Sequence, residues 1–174
     1  MESLPDLRQA PRFALVDQSG RARSSQELEG RVWIASFLFT SCPGSCPRIA
    51  HELNGVRERL HGRAVTFVTF SVDPVHDTPA VLAGFARSLG ADADAWWFLT
   101  GPPDSLRRVV GEGFGLALAD AAPGTPGAHG AILHSTRVAL VDRAGHVRGY
   151  YSGDEAASLR ILAHDAADLA GARR

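Results

Sequence analysis

The two cysteines of this 174-residue chain, Cys42 and Cys46, stand four apart in "FLFTSCPGSCPRIAHEL". Thiols that close serve a structural disulfide, a redox couple or a metal clamp. Each of the last two needs thiolates, and a helix N-terminus supplies them, because the positive end of the dipole favours the ionised sulfur. Spacing separates the chemistries only in part. Side chains four apart on a regular helix have Cβ atoms about 5–6 Å apart, whereas a disulfide requires roughly 3.5–4.5 Å. The C-x-x-x-C spacing therefore favours two sulfurs around one metal over a C-x-x-C exchange motif. The Pro43-Gly44 bend still permits closure of a disulfide. Two thiolates form a soft pair suited to Cu(I) or Zn.

A stable site requires a third donor. Of His51, His61, His76, His129, His134, His146 and His164, His134 stands apart, placed just before the strand of "AILHSTRVALVD". His61, His146 and His164 fall at a helix end, in a hairpin and on a terminal helix, where solvent is the expected partner. The second stretch with chemical content is "SVDPVHDTP". Asp73 ends a strand and Asp77 precedes a helix, so both carboxylates are expected at one sheet edge, beside the cysteine loop. Asp77 or Thr78 is expected to cap the following helix, and Asp73 to form an Asx-turn, to orient His134 or to contact a partner carrying copper. His76 is expected to be exposed, with an accessory metal role as the alternative.

The elements that position these residues alternate along the chain. "RFALVD" reads as a short strand, and "RVWIASFLFT" as a continuous apolar strand of the kind buried on both faces of a sheet. Ile49, Leu53, Val56 and Leu60 make a helical stripe, with Pro47 suited to its first turn. "AVTFVTFSVD" is a β-branched strand. The next helix has Thr78 as cap and Pro79 at its first position, with Val81, Leu82, Phe85 and Leu89 as its buried face and Gly90 as its stop. "WWFLTG" is a strand, "PDSLRRVVGEGFG" a helix weakened by glycines, and 119–130 a Pro/Gly-rich loop. "STRVALVD" and "HVRGYYS" form a hairpin. A helix closes the chain from about Asp154 to Leu169. This order implies an α/β domain with a central mixed sheet flanked by helices, in the thioredoxin-like arrangement. That fold places a cysteine motif between a central strand and its helix, and normally carries a cis-proline where this chain has His134-Ser135. Loss of that proline favours coordination over exchange.

Composition narrows the function classes. Basic and acidic side chains number 18 and 19, and the chain is 45% hydrophobic, which argues against a nucleic-acid surface. No run reaches the roughly 18–20 apolar residues of a membrane span. "MESLPDLRQAP" lacks the regions of a signal peptide. One domain over 1–174 is expected, with 1–11 as a flexible leader.

These pieces together resemble the Sco/SenC copper-binding proteins, which help deliver copper to cytochrome c oxidase. The resemblance runs through "FALVDQSG", "GRVWIASFLFTSCPGSCP", "TFSVDPVHDTPAVLAGFARSLGA", "WWFLTG" and "LHSTRVALVDRAGHVRGYY". It implies Cys42, Cys46 and His134 as ligands of Cu(I) or Cu(II), a thiol–disulfide capacity in the same cysteines, and Asp73 and Asp77 as supporting acidic residues. It also implies a copper-receiving oxidase subunit or another copper chaperone as partner, a monomer, and a periplasmic location behind an N-terminal anchor absent from this sequence. Many relatives carry an acidic residue inside the cysteine loop, where this chain has Gly44. The competing expectations are a thiol–disulfide oxidoreductase or peroxide-handling enzyme of the same fold, and a module whose cysteines form a structural disulfide. "FLFTSC" supplies Thr40 but not the proline of a peroxidase cradle.

Overall fold

The computed structural model describes residues 4–42, 44, 46–120, 131–133 and 135–171. Its centre is a six-stranded sheet in the order β1 (Arg8–Gln9), β10 (His146–Ser152), β9 (Arg137–Val141), β4 (Val32–Leu38), β5 (Val65–Ser71), β6 (Trp96–Leu99). The strands β4, β5 and β6 run parallel. β9 joins β4 antiparallel, and β10 returns along β9 as a hairpin. Crossovers after β4 and β5 are the helices α1 (Cys46–Arg59) and α2 (Pro79–Ser88). The sheet is mixed and thioredoxin-like, as its β-α-β unit and terminal hairpin require.

β4 is buried along its whole length because both faces are covered. Val32 and Ile34 face a core shared with Ile49 and Leu53 of α1, Leu82 of α2, and Leu159 and Leu162 of α4 (Ala156–Gly171). Trp33, Ala35 and Phe37 face the opposite core, closed by Phe13, Leu15, Phe70, Trp97 and Phe114. Phe114 contacts Trp33, Phe37 and Phe70, with ring centroids at 6.0, 4.9 and 5.8 Å.

Phe114 reaches that core through a widened turn. α3 (Pro103–Arg107) passes into a π turn over Arg108–Gly113, and the Phe114 N–H donates to the Val109 carbonyl at 3.0 Å. The glycines expected to weaken this helix have a packing reason at Gly113. A Cβ there would sit 2.4 Å from Pro11 Cβ, so only glycine admits the close approach. α2 begins with Thr78 as cap, its hydroxyl accepting the Val81 N–H at 3.3 Å, and ends before Gly90 at φ +62°. Its buried face is Leu82 and Ala86, with Phe85 and Leu89 half-buried. Val81, expected on that face, is exposed.

Four short strands escaped the sequence reading. β2 (Ala14–Val16) pairs with β3 (Ala22–Ser24) as a hairpin, where a lone strand was expected. β7 (Leu118–Asp120) pairs with β8 (Ala131–Leu133), so 119 and 120 are strand where a loop over 119–130 was expected, and 121–130 lie outside the described residues. Residues 4–9, expected as part of a loose leader, are laid along β10. Arg8 and Gln9 form β1, Arg148 donates to the Leu4 and Pro5 carbonyls, and His146 meets Asp6 at 2.8 Å.

Beyond the hairpin, Gln18 closes the outer edge of β6. Its buried amide donates to the Trp96 carbonyl at 2.8 Å and accepts the Phe98 N–H at 3.0 Å, as a neighbouring strand would. Gln18→Ala leaves both backbone groups without that partner. We expect a loss of about 2 kcal/mol in urea unfolding with an unchanged slope; a loss below about 0.5 kcal/mol would show that water replaces the amide.

Candidate metal centre at the edge of the sheet

β4 and β5 end level with one another, Leu38 opposite Ser71, and the Val72 N–H donates to the Leu38 carbonyl at 3.0 Å. Two loops leave this edge side by side. The first runs from Phe39 to the cysteines, with a turn in which the Cys42 N–H donates to the Phe39 carbonyl at 3.3 Å. The second carries Asp73 and Asp77. Strand ends of parallel sheets are where chains diverge and sites form.

Asp77 joins the two loops. Its side chain is fully buried at 0% exposure. One carboxylate oxygen accepts the Thr40 hydroxyl; the other accepts the Thr40 N–H at 3.2 Å and the Ser71 hydroxyl at 2.7 Å. The Asp77 N–H in turn donates to the Asp73 carbonyl at 2.9 Å. The capping role expected for Asp77 therefore belongs to Thr78 alone. The carboxylate instead holds Thr40, two residues before Cys42, against the end of β5. Three donors on one buried carboxylate are charge-assisted bonds, stronger than neutral ones. Sequence reasoning missed this use of Thr40 and Ser71; their only signal was a hydroxyl at the end of each apolar strand.

Asp73 is buried at 1% exposure, and its N–H donates to the Ser71 hydroxyl at 3.1 Å. The turn is thus built by the Ser71 side chain rather than by an Asx-turn from Asp73. His76 and Val75 are exposed at the tip of this loop, Val75 at 71%.

The cysteines differ from each other. Both are free; Cys46 is buried as the first residue of α1, and Cys42 is half-buried in the loop before it. The helix dipole was expected to favour both thiolates. For Cys46 burial wins: it pushes the thiol up to about 12, helped by the hydrogen bond that Cys46 makes with Cys42. Cys46 is accordingly a protonated thiol at neutral pH until something displaces its proton.

His134 lies outside the described residues, as do Pro43 and Ser45. The elements flanking His134 are placed: β8 ends at Leu133 and β9 starts at Arg137. β9 pairs Ala139 with Ala35 antiparallel, so its first residues lie level with the end of β4, where the cysteine loop begins. Among the described residues, no three His, Cys, Asp or Glu side chains converge as a metal site. His51, His61 and His164 are exposed. His146, expected in solvent, is half-buried against Asp6. The two thiols, joined by their mutual hydrogen bond, fit a soft metal ion in chemistry and in mutual placement.

Two outcomes are expected from this geometry. In the reduced chain at mildly alkaline pH, iodoacetamide should modify Cys42 well before Cys46, read by peptide mass spectrometry; the reverse order would contradict the buried, protonated Cys46. Asp77→Ala should cost about 2–3 kcal/mol by leaving the Thr40 and Ser71 donors without their acceptor, and should speed exchange of the Thr40 amide. Unchanged protection at Thr40 would show that the tie does not hold the loop.

Comparison with known proteins places this geometry. The sequence model described as SCO1/SenC matches residues 2–169. The "SCO1 protein homolog" of Bacillus subtilis (strain 168) is 32% identical over 145 residues, covering 82% of this chain and 73% of its own. BsSco, described as a member of the Sco family of cytochrome c oxidase assembly proteins with a disulfide switch, superposes with a TM-score of 0.83. It is 26% identical, and the match covers 99% of each chain. Bradyrhizobium japonicum ScoI, solved with copper bound, shares the fold at a TM-score of 0.77 and 22% identity, over 93% of this chain and 99% of its own.

Proposed function

This chain belongs to the SCO1/SenC family, and from that membership we propose that it is a copper carrier, binding the metal through Cys42, Cys46 and His134. In this reading residues 1–174 act as one copper-binding domain that passes the ion to the copper centre of a cytochrome c oxidase. The observation that carries the reading is the pair of free, adjacent thiols at the start of α1, one buried and one half-buried. Soft thiolates select Cu(I), and an imidazole as third donor extends the set to Cu(II). Family relatives described as oxidase assembly proteins or as copper-bound support the same cargo.

The thiol asymmetry suits delivery. Binding copper displaces the Cys46 proton, so the metal is held at the cost of a deprotonation that release reverses. Cys42, nearer solvent, is the ligand that an incoming recipient thiol reaches first, and buried Cys46 lets go last. Asp77 supports the site through Thr40 without binding the metal. Asp73, buried at the same edge, is assigned to orienting His134. The working place is the bacterial periplasm, with the domain acting as a monomer and a copper-receiving oxidase subunit or another copper chaperone as partner.

A second use of the cysteines rests on their mutual hydrogen bond. Exchange with a partner disulfide would close Cys42–Cys46, the two electrons and two protons passing to the partner's dithiol. In that state the two thiolate ligands are lost, so disulfide formation switches copper binding off.

Titration of the reduced chain with Cu(I) and Cu(II) tests the proposal. One copper per chain is expected, with His134→Ala weakening Cu(II) binding at least about tenfold and changing its spectrum, a loss of about 1.4 kcal/mol. Unchanged Cu(II) affinity and spectrum in that variant would overturn the three-donor site.

A further inference from the structure

Away from the cysteines, the edge of the β2–β3 hairpin is left open over a groove. Antiparallel pairing alternates, and here the odd-numbered residues of β2 face β3. The Ser25 N–H donates to the Phe13 carbonyl at 3.0 Å, and the Asp17 N–H to the Arg21 carbonyl at 2.9 Å. Even-numbered residues point their backbone groups the other way. Val16 finds Thr100 there, exchanging bonds of 3.0 and 2.9 Å. Beyond Thr100 the chain turns off at Pro102 and Pro103 into α3, and prolines have no N–H to offer an edge. Ser24, across from Ala14, gives its N–H to Glu27 instead, at 2.8 Å. The Ala14 N–H and carbonyl therefore continue the Val16–Thr100 ladder, with no strand opposite them among the described residues.

That edge forms one wall of a groove of about 550 Å³, within the roughly 300–1,000 Å³ range of ligand clefts. The opposite wall is α3, bringing Ser105, and the π turn, bringing Arg108 and Glu112. Arg12 on the strand side and Arg108 on the turn side are exposed, with Glu112 as the one acidic residue in the lining. Two guanidinium groups against one carboxylate leave the groove with a positive balance. π turns are rare and recur at functional sites.

We propose that the groove between β2 and the π turn binds a short extended acidic segment of a partner protein, which adds to the Ala14 edge as a strand and sets its carboxylate between Arg12 and Arg108. Main-chain bonds to Ala14 supply the alignment, and the guanidinium pair supplies the preference for an acidic side chain. Thr100 blocks the edge at Val16, so the added strand is short, about three to five residues at ~3.4 Å each. The site is separate from the cysteine edge and its test needs no copper.

The probe is a fluorescein-labelled peptide, acetyl-Thr-Val-Asp-Val-Thr-amide, titrated into the reduced, copper-free chain. Amide spectra and hydrogen exchange are followed in parallel. The expected result is saturable binding that shifts the Ala14 amide and slows its exchange. Replacing the peptide's aspartate by lysine, methylating its backbone nitrogens, or using the R12E/R108E chain should each weaken binding at least about tenfold. The two peptide controls decide the outcome on the native chain should the double variant fail to fold. No binding, equal binding of the lysine or methylated peptide, or shifts centred on the cysteine loop would overturn the proposal.

Discussion

The carboxylate of Asp77 is where the two halves of the site meet, buried and satisfied by donors from Thr40 and Ser71. A buried carboxylate stays favourable only while donors satisfy it. The chain after β4 and the chain after β5 must therefore come together or neither is stable in place. Cys42 and Cys46 are carried by the first of these segments and Asp73 by the second. The constraint sets where the two thiols stand relative to the sheet.

What holds the strand ends level is the two-sided core. Phe37 and Phe70 stack at 5.8 Å across β4 and β5, and Phe114 packs edge-on against Phe37 from the π turn. On the other face, Ser36 and Thr69 share a hydroxyl bond of 2.6 Å, and the Trp96 indole N–H donates to Thr69 at 2.9 Å. That small polar chain links β4, β5 and β6, joining Ser36 and its partner Thr69 to Trp96 two residues lower on β6, and helps to fix their register. The N-terminal hairpin and Gln18 then close the outer edge at β6, so the parallel strands have no free side along which to slip.

Local chemistry made much of this readable in the sequence. The stripe Ile49, Leu53, Val56, Leu60, the Thr78-Pro79 start of α2 and the unbroken apolar run of β4 each state their structure within a few residues. β1 and β3 do not: each is two or three residues long, polar in part, and defined only by pairing. Arg8 pairs with Val147, far along the chain. Asp77 was read as a cap because Asp before a helix usually is one; its true partners, Thr40 and Ser71, are known only once β4 and β5 are side by side. The Cys46 thiol was read from the helix dipole, whereas its burial depends on the whole core. The C-x-x-x-C motif and its position after β4 are plain in the sequence, and the family resemblance rests on that motif together with D-P-x-x-D-T-P and the later histidine before the hairpin.

The central claim is that two unequal thiols and one imidazole share a single copper ion. X-ray absorption at the copper edge of the fully loaded Cu(II) chain tests it most directly. The account predicts two sulfur scatterers and one imidazole nitrogen per copper in the native chain, with the imidazole signal gone in His134→Ala. A native spectrum with one sulfur or none, or an imidazole signal that survives in that variant, would contradict it.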